Sequence, residues 1–173
     1  TSTPLADELE GKTVRRQIVR DGKMYVLALD ESNEPYIYMV NLADNTVTNI
    51  STAGTTLDNN RDLKISDIAL TADNVLLASS YGENQFDDSQ VASGDVRGSV
   101  AIYKWTNDEN SVPTGDPSIW FTSQNSGNYY NAMTGKTLAY TGTVEEGSAI
   151  VTAQTTGSST SLRFVEFVIA NST

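Results

Sequence analysis

The strongest constraint on the fold is a set of short apolar runs that recur along the chain. The run Tyr25–Ala28 is repeated fifty residues later by Val75–Ala78, and a third copy follows at Ile150–Ala153. A second run, Ile37–Val40, has its counterpart at Ile102–Trp105. These runs are rich in β-branched and aromatic residues and are bounded by Asn, Asp and Gly, which is typical of β-strands joined by tight turns.

The repeat predicts the architecture of the sheets. Each unit predicts four short strands in succession. Four-stranded repeats at this spacing along the sequence are the signature of β-propeller blades. We therefore expect an all-β chain of consecutive four-stranded antiparallel blades, with units at about 12–55, 63–124 and 135–173. A β-sandwich is the alternative fold, because its strands show the same alternation.

The number of units bears on completeness and on partners. Closed propellers have about four to eight blades, whereas this sequence has two full units and a third that lacks its fourth strand. We therefore expect an incomplete propeller, with residues 1–173 forming either a single all-β domain or a fragment of a larger propeller. Open sheet edges invite association. We expect further blades, another domain or a second copy of the chain at those edges.

Composition and charge exclude several classes of function. The 173 residues contain no Cys and no His, which excludes disulfides, Cys/His zinc sites, His- or Cys-held haem and Ser-His-Asp catalysis within this chain. The net charge of −11 disfavours nucleic acid as a partner. No apolar run approaches the length of a membrane span.

Several segments carry a resemblance to a known family. They include Asp21–Asp30, Pro35–Val40, Ser66–Ala78, Ser99–Trp105 and Gly135–Gly147. In these strand patterns the chain resembles a secreted propeller-like family of unknown function from Bacteroidetes. The resemblance implies export to the periplasm or cell surface, often beside glycan-uptake machinery, and it transfers no active residues. The first residues, Thr1–Pro4, contain neither Met nor an export signal, so we expect any such signal to have been removed.

Aromatic residues supply the candidate ligand site. Tyr129 and Tyr130 lie beside Asn128 in a stretch rich in Gly and Asn, and a flat ring next to amide groups is what a sugar needs. Trp120, in a predicted outer strand, is the fourth candidate for ligand contact. The competing interpretation is that these rings fill the core or lie on the surface. For Trp105, which occupies a repeat position, core packing is the prediction.

A long polar insertion supplies the weak metal candidates. Asp87, Asp88 and Asp95 offer the oxygen ligands that Ca²⁺ prefers, but their spacing matches no regular calcium motif. A solvated loop is the favoured interpretation. Calcium is the one cofactor kept open, and otherwise none is expected.

The acidic residues also raise the question of catalysis. Paired carboxylates can cleave glycosides, and the candidates are Asp30, Glu31, Glu34, Glu145 and Glu146. All five fall in predicted exposed turns, where burial would not raise a pKa for acid catalysis. We therefore predict a non-catalytic, secreted or cell-surface binding or scaffold module, with glycan as the sharper choice of ligand. The alternatives are a carboxylate-dependent enzyme acting on saccharides and a structural piece of a larger protein.

Overall fold

The chain is built from β-strands. The computed structural model describes residues 7–51, 63–82, 101–122, 133–155 and 162–168. In these residues the one helical element is a 3-10 turn at Asp7–Leu9, and every strand pairing is antiparallel. The all-β prediction is confirmed. The strands are β1 (Thr13–Arg20), β2 (Lys23–Leu29), β3 (Pro35–Asn41), β4 (Val47–Ser51), β5 (Leu63–Leu70), β6 (Leu76–Gly82), β7 (Ala101–Asn107), β8 (Pro113–Thr122), β9 (Met133–Gly142), β10 (Gly147–Thr155) and β11 (Leu162–Val168).

The strands form three sheets, and each sheet uses only strands that are consecutive in the sequence. Sheet 1 has the order β1-β2-β3-β4 and sheet 2 the order β5-β6-β7-β8, so the prediction of four-stranded antiparallel sheets is confirmed for these two. Sheet 3 contains β9, β10 and β11, with β10 in the middle. The chain divides into two compact units: Thr1–Thr55, which contains sheet 1, and Thr56–Thr173, which contains sheets 2 and 3.

The three sheets share a construction detail that sequence patterns do not reveal. In each sheet the first strand carries one extra residue against the second strand: Arg15 in β1, Ser66 in β5 and Lys136 in β9. Such a β-bulge bends the strand and increases its twist. The repeat therefore extends from side-chain pattern to backbone geometry.

Local turn chemistry closes the first hairpin. Asp21 and Gly22 both have positive φ, 49° and 72°, and they join β1 to β2 as a two-residue loop. Positive φ at both positions matches a type I′ turn, whose twist suits the flanking strands and for which Asp-Gly is a preferred sequence. The Asp-Gly pair thus fixes the register that places Tyr25–Ala28 in the core.

The repeated runs in β2, β3, β6 and β7 lie mainly in the cores of the two units, whereas Ile150 of the third copy is exposed. Val26, Ala28 and Tyr38 are buried in the first unit, where Leu9, Met24, Tyr36 and Val47 pack against them. Trp105 is 1% exposed in the second unit, as its repeat position predicted.

Candidate functional site

The second unit is organised around a face-to-face contact between sheets 2 and 3. Ala69, Leu77 and Ile102 from sheet 2 form one buried cluster with Leu138 and Ala149 from sheet 3. Burying a leucine side chain contributes about 1.5–3 kcal/mol, so Leu77 and Leu138 carry much of the apolar stabilisation. The border of this cluster is formed by Val75, Trp120 and Tyr140, which are half-buried.

A buried carboxylate joins the two sheets. Asp67 of β5 is 5% exposed, and its Oδ2 accepts a hydrogen bond from the Leu138 N–H of β9 at 2.8 Å. Its Oδ1 accepts from the Ile68 N–H at 3.0 Å. A charged acceptor strengthens such bonds relative to neutral pairs. Asp67 therefore sets the position of β9 against sheet 2, a structural role for a carboxylate that sequence reasoning did not single out.

The turns of the two sheets also contact each other. The Ala72 N–H donates to the Gly142 carbonyl at 2.7 Å, and the Val144 N–H donates to Asp73 Oδ1 at 3.0 Å. Burial acts to raise the pKa of Asp73, but hydrogen bonds from Thr71, the Val144 N–H and its own backbone together lower it. Asp73 is thus held as an ionised acceptor at neutral pH.

Trp120 is the one predicted ligand residue within the described part of the chain. It lies on β8, at the edge of sheet 2, which agrees with its expected place in an outer strand. Its ring meets Tyr140 edge-on, with centroids 5.6 Å apart and planes at 68°. The half-buried indole is therefore oriented by a neighbour while part of it stays accessible, which is what an aromatic platform requires.

Tyr140 completes this aromatic pair, and sequence reasoning missed it. Its hydroxyl donates to the Thr143 carbonyl at 2.6 Å. Burial raises the pKa of Tyr140, and the Asp73 charge raises it further. The phenol stays protonated and fixed at neutral pH, so its ring holds Trp120 in place.

The other candidates lie elsewhere. Tyr129, Tyr130 and Asn128 lie outside the described residues, as do the metal candidates Asp87, Asp88 and Asp95. Ligand binding by Trp120 and by these three residues therefore stays a prediction. In the described ranges, no three Asp or Glu side chains are grouped closely enough to hold a metal ion.

Asp30, the first of the carboxylates considered for catalysis, acts as an acceptor within its turn. Asp30 Oδ1 accepts from the N–H groups of Ser32 (2.8 Å) and Glu34 (2.9 Å), and Tyr36 donates to its Oδ2 at 3.3 Å. The backbone bond from Glu34 is the main cause that lowers the pKa of Asp30. A general acid at neutral pH needs the opposite shift.

The four glutamates of that set lie in turns. Glu31, Glu145 and Glu146 are exposed, and Glu34 is half-buried. Their positions agree with the turn assignments made from the sequence.

The first unit has its own aromatic cluster. The rings of Tyr36 and Tyr38 on β3 are nearly parallel, at 6.1 Å and 11°, and the Lys12 ammonium lies 4.0 Å from the Tyr36 centroid. A cation over an aromatic face is attracted by the ring quadrupole. This contact fastens the segment before β1 to the face of sheet 1.

No protein-family model matches the chain, and no curated protein is significantly similar to it. Within the described residues, no helix has the length and apolar character that a membrane crossing needs.

Proposed function

We propose that this chain is a non-catalytic binding or scaffold module made of stacked β-sheets. The observation that carries the proposal is the contact between sheets 2 and 3, in which the buried Asp67 carboxylate and an apolar cluster join successive sheets. The carboxylate of Asp67, a group that could otherwise act in acid–base catalysis, accepts hydrogen bonds from the backbone N–H groups of Ile68 and Leu138. Asp30 and Asp73 also accept backbone N–H bonds and have lowered pKa values, which supports a binding role over carboxylate catalysis.

We further propose that the sheets are propeller-like blades. Each sheet is a meander of consecutive strands with a bulge in its first strand. Immunoglobulin-type sandwiches instead pass strands between their two sheets by Greek-key connections. The strand order therefore favours blades over a sandwich. The placement at the periplasm or cell surface belongs to the same proposal and rests on the family resemblance.

Glycan is the proposed ligand class, and Trp120 is the candidate contact residue that lies within the described part of the chain. The chain has two tryptophans, and Trp105 is 1% exposed. A ligand that stacks on an accessible indole will therefore change the fluorescence and the acrylamide quenching of Trp120 rather than of Trp105. This asymmetry makes intrinsic fluorescence a site-specific readout.

The experiment is a titration with a panel of oligosaccharides and polysaccharides, with and without Ca²⁺, followed by product analysis. We compare wild type with Trp120→Leu and with the Tyr129→Ala/Tyr130→Ala double variant, using Val19→Ala, an exposed residue of the first unit, as the matched control. Binding by all variants is measured by isothermal titration calorimetry, because Trp120→Leu removes the fluorophore that reports binding in the wild type. Saturable binding without turnover that an aromatic variant loses supports the proposal. Product formation would favour the saccharide-active enzyme, and no binding to any glycan would contradict the glycan assignment.

A further inference from the structure

The first strand of sheet 1 has an open side. Among the described strands, β1 pairs only with β2 and lies at the edge of the sheet. In an antiparallel hairpin closed by a two-residue loop, the pair that flanks the loop exchanges both backbone hydrogen bonds, and the next pair exchanges none. These pairs are Arg20 with Lys23 and Val19 with Met24. The alternation directs the backbone N–H and C=O groups of Val19, and of Gln17 two residues before it, away from β2.

These outward-pointing residues are also open to solvent. Val19 is 62% exposed and Gln17 is exposed. Among the described residues, no turn or loop makes a backbone hydrogen bond with either of them. The edge therefore presents two N–H and two C=O groups beside an exposed apolar side chain, which is the arrangement that an added strand uses.

The charge of sheet 1 is opposite to that of the whole chain. Its four strands contain Arg15, Arg16, Arg20 and Lys23 but no Asp or Glu, whereas the chain has a net charge of −11. The acidic residue nearest in sequence is Asp21, in the turn after β1. Arg15 is exposed, and Arg16 and Arg20 are half-buried with contacts of their own. The open edge is thus locally positive.

This charge selects among possible occupants of the edge. A second copy of β1, paired antiparallel about Ile18, would place Arg16 opposite Arg20, and like charges directly opposite each other are destabilising. Arginine and lysine at an edge discourage such self-pairing. An extended segment that alternates acidic and apolar residues instead offers carboxylates to the arginines and apolar side chains to Val19. The bulge at Arg15 interrupts the regular ladder, so the regular part of the edge is residues 16–20.

We propose that the open edge of β1, at residues 16–20, binds an extended acidic polypeptide segment by strand addition. Main-chain hydrogen bonds at Gln17 and Val19 provide the affinity, and the arginine charges provide the choice of partner. This ligand is additional to the proposed glycan, whose candidate contact Trp120 lies in the second unit. Because opposite charges attract here, added salt weakens the complex.

The probe is an acetylated and amidated peptide in which Glu and Val alternate, titrated into the ¹⁵N-labelled full chain and followed by NMR. A short added strand predicts a Kd between about 10 µM and about 1 mM. The amide hydrogens of Gln17 and Val19 should become protected from exchange, whereas that of Ile18, which points towards β2, should change little. A peptide with Lys in place of Glu should bind at least about tenfold more weakly.

Two variants separate main-chain pairing from charge. Val19→Pro removes an outward donor and leaves the ladder with β2 intact, so binding should weaken at least about tenfold; Val19→Ala keeps the donor and should lose about threefold or less. Gln17→Glu and Asn49→Asp each turn an exposed amide into a carboxylate, on the two opposite edge strands of sheet 1. Gln17→Glu should weaken binding about threefold, and Asn49→Asp should leave it unchanged.

Several results would overturn the proposal. They are no saturable binding of the Glu–Val peptide, equal binding of the Lys peptide, and binding that survives Val19→Pro. Oligogalacturonate, an anionic glycan, tests the other class of ligand. If it binds this edge as tightly as the peptide does, or if protection does not alternate between Gln17, Ile18 and Val19, the edge is a general anion surface and strand addition is refuted. The glycan titration at Trp120 reports on the second unit, so its failure is distinguishable from failure here.

Discussion

Replacing Asp67 by Ala tests how the second unit is held together. The change removes the charged acceptor of the Leu138 N–H and of the Ile68 N–H at a position that is 5% exposed. A hydrogen bond to a charged group contributes about 1.5–3 kcal/mol, and a buried N–H that loses its acceptor costs about 1–3 kcal/mol. Since removing a buried charge offsets part of this loss, we expect the free energy of unfolding to fall by about 3 kcal/mol.

The assay is urea unfolding followed by tryptophan fluorescence. Both tryptophans, Trp105 and Trp120, belong to the second unit, so the signal reports that unit. For a chain of this size a loss of about 3 kcal/mol lowers the melting temperature by about 6–12 °C. Asp67→Asn, which keeps one acceptor, should lose roughly half as much free energy.

The control is Asp116→Ala, an exposed aspartate of β8 in the same unit. It removes a carboxylate without a buried bond and should change stability by less than about 0.5 kcal/mol. If Asp67→Ala is no more destabilising than Asp116→Ala, the carboxylate does not join the sheets and the reasoning fails.

Three further changes test other parts of the structure. Gly142→Ala should lower the urea midpoint of the second unit, because Gly142 has a φ of 89° and an added Cβ would overlap the Glu146 carbonyl; an unchanged midpoint would contradict this turn geometry. The pKa of Asp73 is lowered from 3.8 in the folded chain. The ionised Asp73 carboxylate therefore stabilises the fold fully above pH 3.8, and this stabilisation is lost as the pH falls through the lowered pKa. The difference in urea midpoint between wild type and Asp73→Asn should shrink from about pH 5 to about pH 2, and a difference that stays constant would contradict the lowered pKa. Lys12→Met should destabilise the first unit by about 0.5–1 kcal/mol through loss of the contact with Tyr36, which amide hydrogen exchange of sheet 1 can measure; unchanged exchange would show that the contact does not stabilise the unit.

Much of the strand layout follows from local patterns. Tyr25–Ala28 and Ile37–Val40 fall within β2 and β3, and Asp21-Gly22 forms a tight turn of the kind that an Asp-Gly pair prefers. These features depend on side-chain alternation and turn chemistry, which are local properties. The bulge at Ser66 is not local in this sense, because it depends on how β5 pairs with β6.

The contacts between sheets 2 and 3 could not be predicted from local sequence patterns either, because they join residues that are far apart in the sequence. Asp67 looks like an ordinary polar strand residue in the sequence, and its main-chain partner, Leu138, lies 71 residues away. Tyr140 stands among threonines and small residues, and it gains its role only from the approach of Trp120. A single sequence carries no signal for such pairs, whereas the burial of Trp105 could be predicted because its position recurs.

The most direct test of the account is a methyl NOE spectrum of the chain with labelled leucine and alanine methyl groups. Docking of sheet 2 on sheet 3 predicts NOEs that link Leu77 and Ala69 with Leu138 and Ala149, since these side chains share one buried cluster. Strong NOEs within each sheet with none across these pairs would contradict the docking of successive sheets, and with it the scaffold that we propose.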